Sequence, residues 1–81
     1  MATKRNQALI YRKVPLFLRE LRENAKLTQR ELAERIGQSQ WWVARSEVGS
    51  RRIDVAEFIE FCIGCGRNPA EVLTDLAKRR R

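Results

Sequence analysis

Eighty-one residues, 43% hydrophobic and 33% charged, suit one small globular domain near the lower size limit for a single core. Two cysteines and no histidine argue against a disulfide framework or an ordinary zinc site, and no apolar run approaches the roughly 20 residues of a membrane span. The net charge of +7 points to a polyanionic partner, but it is unevenly placed. Lys4, Arg5, Arg12 and Lys13 give +4 ahead of Pro15, and Lys78, Arg79, Arg80 and Arg81 give +4 at the end. Residues 15–77 hold nine basic and ten acidic residues, net −1. The chain thus divides into a basic arm (1–14), a nearly neutral folded domain (15–77) and a basic tail (78–81). The two ends are either solubilising or lie along phosphates, where they add salt-dependent affinity without sequence preference. The opening residues MATKRNQALIYRK are too polar for an export signal, so a cytoplasmic location is expected.

In chain order, residues 1–14 show little periodicity. Leu9, Ile10, Tyr11 and Val14 either form a loose helical turn or pack against the domain. Pro15 suits the first turn of a helix, where its missing N–H costs nothing. Leu18, Leu21 and Ala25 recur at i, i+3 and i+7, with Arg19, Glu20, Arg22 and Glu23 between them. That predicts an amphipathic helix ending near residues 24–26. Thr28 and Glu31 form a capping box for a second helix, with Leu32, Ala33 and Ile36 as its apolar face and Gly37 as its stop. Ser39 caps a third helix over about 39–48, anchored by Val43 and closed by Gly49. After the loop Ser50, Arg51, Arg52 and Ile53, Asp54 and Glu57 make a second capping box. Val55, Phe58, Ile59, Cys62 and Cys65 give the fourth helix an apolar side, and Gly66 ends it. Asn68, Pro69 and Glu71 start a last helix, which carries Val72, Leu73 and Leu76 and frays into the basic tail. Five helices, short loops and no strand signal predict an all-α domain.

The residues 28–47, TQRELAERIGQSQWWVARSE, carry the functional signal. Three of the four capped helices have an acid at the third position: Glu31, Glu57 and Glu71. The third helix has Trp42 there, and its first acid is Glu47 near the far end. A helix that points its N-terminal half at DNA avoids a carboxylate there and uses its N–H groups and dipole to attract phosphate. Cys62 and Cys65 form a C-x-x-C, but at a helix end with no preceding strand and no further ligands. They read as buried thiols acting as small hydrophobes. No histidine, nucleophile elbow or phosphate-cradling glycine loop is present, so no catalytic constellation emerges. Arg45 and Glu47 suit a surface ion pair.

RELRENAKLTQRELAERIGQSQWWVARSEVG resembles the helix-turn-helix of the Cro/C1-type (XRE-like) repressor family. The match runs L-R-x-x-R over Leu18 to Arg22, then L-T-Q-x-E-L-A-x-x-I-G, then S-Q-x-x-V-x-R-x-E-x-G. RRIDVAEF and G-x-N-P-A-E-V-L resemble the family's fourth and fifth helices, so the likeness covers about residues 16–76. It implies a compact five-helix, lambda-repressor-like domain that binds double-stranded DNA, usually as a dimer on a pseudo-palindromic operator. Position by position, it implies base contacts from Gln40, Trp41 and Arg45. Glutamine suits adenine N6/N7, and arginine pairs bidentately with guanine. It implies phosphate contacts from Gln29, Ser39, Arg51 and Arg52. The plain alternative for each is a solvated surface side chain, which is the preferred reading for Arg30 and Arg35. Three positions depart from the pattern. Ser46 stands where a large aliphatic is usual, Trp42 where threonine or tyrosine is frequent, and Arg67 where an aliphatic is usual. Trp42 and Ser46 share a face at i and i+4, so the indole is expected to fill the volume that the serine leaves. Trp41 then points to a groove or a partner.

The expectation is a sequence-specific transcriptional regulator, a repressor rather than an enzyme, cytoplasmic, with no cofactor or metal. It acts as a homodimer, with the last helix as the first choice of dimer surface through Leu73 and Leu76. Two rivals stay open. One is a helix-turn-helix used for protein interaction, such as an antitoxin or anti-repressor, contacting its partner through the tryptophans and the last helix. The other is a nonspecific nucleic-acid binder driven by the basic ends.

Overall fold

In the computed structural model, which describes residues 10–80, the chain runs through α1 (Val14–Asn24), α2 (Gln29–Ile36), α3 (Gln40–Val48), α4 (Val55–Gly64) and α5 (Pro69–Lys78). No strand occurs among the described residues, as the all-α expectation requires. Lys4, Arg5, Leu9 and Arg81 lie outside them. The helix starts follow the capping logic of the sequence. Thr28 Oγ1 accepts from Glu31 N at 3.1 Å while Glu31 accepts from Thr28 N at 2.8 Å. Asp54 and Glu57 repeat this reciprocal arrangement at 2.8 and 2.9 Å. Ser39 Oγ accepts from Trp42 N at 3.0 Å, and Asn68 Oδ1 accepts from Ala70 N at 2.8 Å. α1 has no side-chain cap and starts at Val14, with Pro15 in its first turn. Gly37 and Gly49 end α2 and α3 in the left-handed region, at φ 70° and 84°.

α3 packs on both α1 and α2, α4 packs on α2, and α5 leans on α4. Leu18, Leu32, Val43, Phe61, Cys62 and Val72 are fully buried at the centre. α4 approaches α2 closely at Gly64, where an added Cβ would lie 2.6 Å from Ile36 Cγ2 and 2.8 Å from Leu32 Cδ1. Arg35 donates to Gly64 O at 3.1 Å across this contact, so it ties α2 to α4 rather than being simply solvated.

Two details correct the sequence reading, and a third locates the Trp42–Ser46 pair. Phe61, not Val55 or Ile59, anchors α4 in the core; Val55 is 76% exposed and Ile59 also faces solvent. The break comes from the helix phase: Phe58, Phe61, Cys62 and Cys65 share one arc, which Val55 and Ile59 flank. Leu76 is buried, while Leu73 is 55% exposed. Trp42 is half-buried against the core and Ser46 is buried beside its backbone, the Ser46 hydroxyl donating to Trp42 O at 2.9 Å. Cys62 and Cys65 are buried and free, and burial pushes both thiols up to about 11.

The two capping boxes set an acid limit. The Thr28 N–H holds Glu31 below the usual glutamate range, and Arg51, with help from the Asp54 N–H, does the same for Glu57. A carboxyl depressed in the folded state stabilises the fold above its unfolded pKa and loses that contribution as pH falls through its folded value. Thermal melting followed by circular dichroism should therefore give a lower midpoint once pH drops below about 4. Glu57→Gln should narrow the gap between neutral and acid midpoints; an unchanged gap would show that Glu57 carries none of it.

Candidate nucleic-acid interface

α3 is set in place by one buried charge pair. Arg22 is on the core-facing arc of α1, and Glu47 is on the inner face of α3. Arg22 donates through Nε to Glu47 Oε2 at 2.6 Å and through Nη2 to Oε1 at 2.9 Å, with side chains 11% and 2% exposed. Its Nη1 donates to Leu27 O at 2.8 Å, just ahead of the Thr28 cap. Gln29 then donates through Nε2 to the same Glu47 Oε1 at 3.1 Å. Three segments thus meet on one carboxylate: α1, the start of α2 and the end of α3. Each guanidinium nitrogen and each carboxylate oxygen has a hydrogen-bond partner, as a buried pair requires. Glu47 therefore does not pair with Arg45 on the surface as the sequence suggested. It faces inward because it lies four residues after Val43, on the buried side of α3.

This inward turn removes the only acid of α3 from its outer face. Gln40 and Arg45 are exposed there, and Trp41 is 70% exposed. The Arg45 guanidinium carbon stands 6.0 Å from the Trp41 ring centroid, and Arg45 Nε donates to Ser50 Oγ at 3.2 Å. Trp41 and Trp42 diverge, one outward and one toward α4. Shallow depressions flank the α3 start. One is lined by Thr28, Gln29, Arg30 and Gln40, the other by Ser39, Trp41, Trp42, Arg45 and Arg51.

The loop after α3 is more constrained than its sequence suggests. Arg51 lies over the Trp42 ring at 4.7 Å and makes a two-pronged contact with Glu57 at 3.1 and 3.3 Å. Its Nε and the second hydrogens of its Nη atoms stay available to a phosphate. Arg52 lies over the Tyr11 ring at 4.3 Å, and Tyr11 Oη accepts from Ile53 N at 3.0 Å. The basic arm thus joins the domain beside this loop. At the other end Arg79 is clasped to α1, at 2.8 Å from Glu20 and 4.8 Å from the Phe17 ring.

A family model described as "Helix-turn-helix domain" matches residues 16–74. The solved XRE-family like protein from Pseudomonas syringae pv. tomato str. DC3000 superposes with a TM-score of 0.87 at 40% identity, over 96% of this chain and 95% of that one. The chain belongs to the XRE-type helix-turn-helix family. The clp gene regulator ClgR from Corynebacterium glutamicum is similar at 26% identity and a TM-score of 0.75, over 86% of this chain and 91% of that one. A comparison with curated proteins gave no match.

In this XRE-type domain the helix-turn-helix proper is α2, the Gly37 turn and α3. The fold brings Gln29, Ser39, Gln40 and Trp41 to the N-terminal end of α3, with Arg45 exposed in its last turn and Arg51 and Arg52 in the loop that follows it. Sequence reasoning missed Arg22, Ser50 and Tyr11 as parts that position this surface. For Arg22 a signal existed: with Phe17, Leu18 and Leu21 it completes the inward arc of α1, opposite an equally inward Glu47. For Ser50 there was none, because its place depends on how the chain turns after Gly49.

Proposed function

We propose that this chain is a sequence-specific DNA-binding transcriptional regulator, most simply a repressor, that acts in the cytoplasm as a homodimer without cofactor or metal. One observation carries the reading: α3 presents Gln40, Trp41 and Arg45 while its only carboxylate is withdrawn into an ion pair with Arg22. In this reading α3 enters the major groove, Gln40, Trp41 and Arg45 contact bases, and Gln29, Ser39, Arg51 and Arg52 hold phosphates. Ser39 can donate its hydroxyl hydrogen while its oxygen still caps α3. Gln29 keeps a second amide hydrogen. The similarity to an XRE-family like protein and to the clp gene regulator ClgR supports the regulator class. No described helix is long and apolar enough to cross a membrane.

The dimer surface in this reading is the α4–α5 face. Val55, Ile59 and Leu73 are exposed around a groove lined also by Tyr11, Phe58 and Pro69. Ridge and groove lie on the same face, which an isologous two-fold contact requires. The same patch gives the protein-interaction reading its footing, with a different protein in place of the second copy.

Selection of bound duplexes from a randomised DNA pool tests the proposal. The expected product is a pseudo-palindrome whose half-sites place two α3 helices about 34 Å apart. Leu73→Glu should lose the palindrome's second half and sediment as a monomer. Recovery of unrelated sequences, with equal affinity for all of them, would sink sequence-specific reading and favour the nonspecific binder.

A further inference from the structure

We infer that Ser50 is a positioning residue that pre-sets Arg45 as an end-on guanine reader. The inference rests on the proposed DNA-reading role of α3 and names the chemistry of one of its contacts.

The argument starts at the backbone. Gly49 takes φ 84° and turns the chain back at the end of α3. The Arg45 carbonyl then accepts from Gly49 N at 3.1 Å, from Ser50 N at 3.1 Å and from Arg51 N at 3.4 Å. Ser50 is therefore returned against the residue five positions earlier by main-chain bonds, whatever its own side chain does. Its hydroxyl completes the contact: it donates to Arg45 O at 3.4 Å and accepts from Arg45 Nε at 3.2 Å. On its other side Arg45 meets the exposed face of the Trp41 ring. A long, flexible side chain is thus held at its root and at Nε.

The consequence lies in which donors remain. A guanidinium offers five N–H groups in a planar fork and can approach guanine O6 and N7 either through Nε with one Nη or through the two Nη groups. With Nε given to Ser50, the side-on approach is blocked and the end-on fork faces outward. Fixing that orientation before binding also lowers the ordering cost of the contact. Neither Arg51 nor Arg52 has this arrangement: Arg51 gives both Nη groups to Glu57, and Arg52 lies over the Tyr11 ring rather than giving Nε to a hydroxyl.

The experiment uses the full chain and duplexes enriched from a randomised pool. Each guanine of the enriched half-site is replaced in turn by 7-deazaguanine, which lacks the N7 acceptor and changes little else. Wild-type protein should lose about tenfold in affinity at one guanine. Arg45→Ala should show no loss at that position. Ser50→Ala should cut the tenfold penalty to threefold or less, while its affinity for a scrambled duplex and its melting midpoint match wild type. Ser50→Thr, which keeps the hydroxyl, should restore the full penalty. Ser50→Ala that still loses tenfold at that guanine overturns the inference, as does an enriched site in which no guanine responds. A pool that yields no enriched sequence at all overturns the proposed function and the inference with it.

Discussion

Glu47→Ala should destabilise the domain by about 3–5 kcal/mol, because it leaves the Arg22 guanidinium buried without its counter-charge. For a chain of this size that is a fall of roughly 15 °C or more in the melting midpoint. It is also a large part of the total stability of an ordinary domain. Arg22 accounts for the size of the effect. Its side chain is 11% exposed, three of its nitrogens are engaged, and two of the three bonds go to Glu47. A guanidinium does not lose its proton in a protein, so Arg22 cannot escape the buried charge by titrating once Glu47 is gone. The double variant Arg22→Met with Glu47→Leu separates charge from packing. It should melt within about 1–2 kcal/mol of wild type, since well-packed apolar replacements of a buried pair are often neutral. Its DNA affinity should still fall for every sequence alike, because Gln29 loses the acceptor that holds it at the α2 start. Calorimetry on the three proteins checks this. A Glu47→Ala variant that melts like wild type would show that the pair does not hold α3.

Element positions were largely legible in the sequence because each helix carries its own local start and stop. Thr28 with Glu31, Asp54 with Glu57, Asn68 with Pro69, and the glycines at 37 and 49 act within a few residues of themselves. The candidate reading face was legible for a related reason: Gln40, Trp41 and Arg45 follow from the phase of one capped helix. What resisted reading depends on contacts between segments far apart in sequence. Glu47 looked like a surface partner for Arg45 because local spacing cannot show that Arg22, twenty-five residues earlier, waits on the inner side of α1. Arg51 looked like a free cation, yet the Trp42 ring and Glu57 claim much of its guanidinium. Arg79 looked like tail, yet it packs over Phe17. In the last two cases a cation assigned to phosphate or tail has a protein partner, so the number of arginines overstates how many face DNA freely.

Gln40→Ala and Arg45→Ala should each weaken binding to the selected site by about 1–3 kcal/mol, and each should relax preference at one base position only. Arg52→Ala should behave differently. Arg52 is exposed in the loop after α3, with its guanidinium over Tyr11 and no carboxylate partner among the described residues. As a phosphate contact it carries no sequence information, so its loss should lower affinity for all duplexes alike and reduce the salt slope by about one. Arg51→Ala is a poorer probe, since it also strips Glu57 of the contact that holds its carboxyl below the usual glutamate range and uncovers the Trp42 ring. Gel shifts across a salt series, with the selected site and a scrambled duplex, distinguish the two kinds of contact. Arg45→Ala that lowers both affinities equally would make Arg45 a backbone contact and move base reading to Gln40 and Trp41. Because residues 15–77 carry net −1, nonspecific attraction from the folded part is weak. A few placed side chains must then supply most of the discrimination, and single substitutions at Gln40 and Arg45 should accordingly have large, position-specific effects.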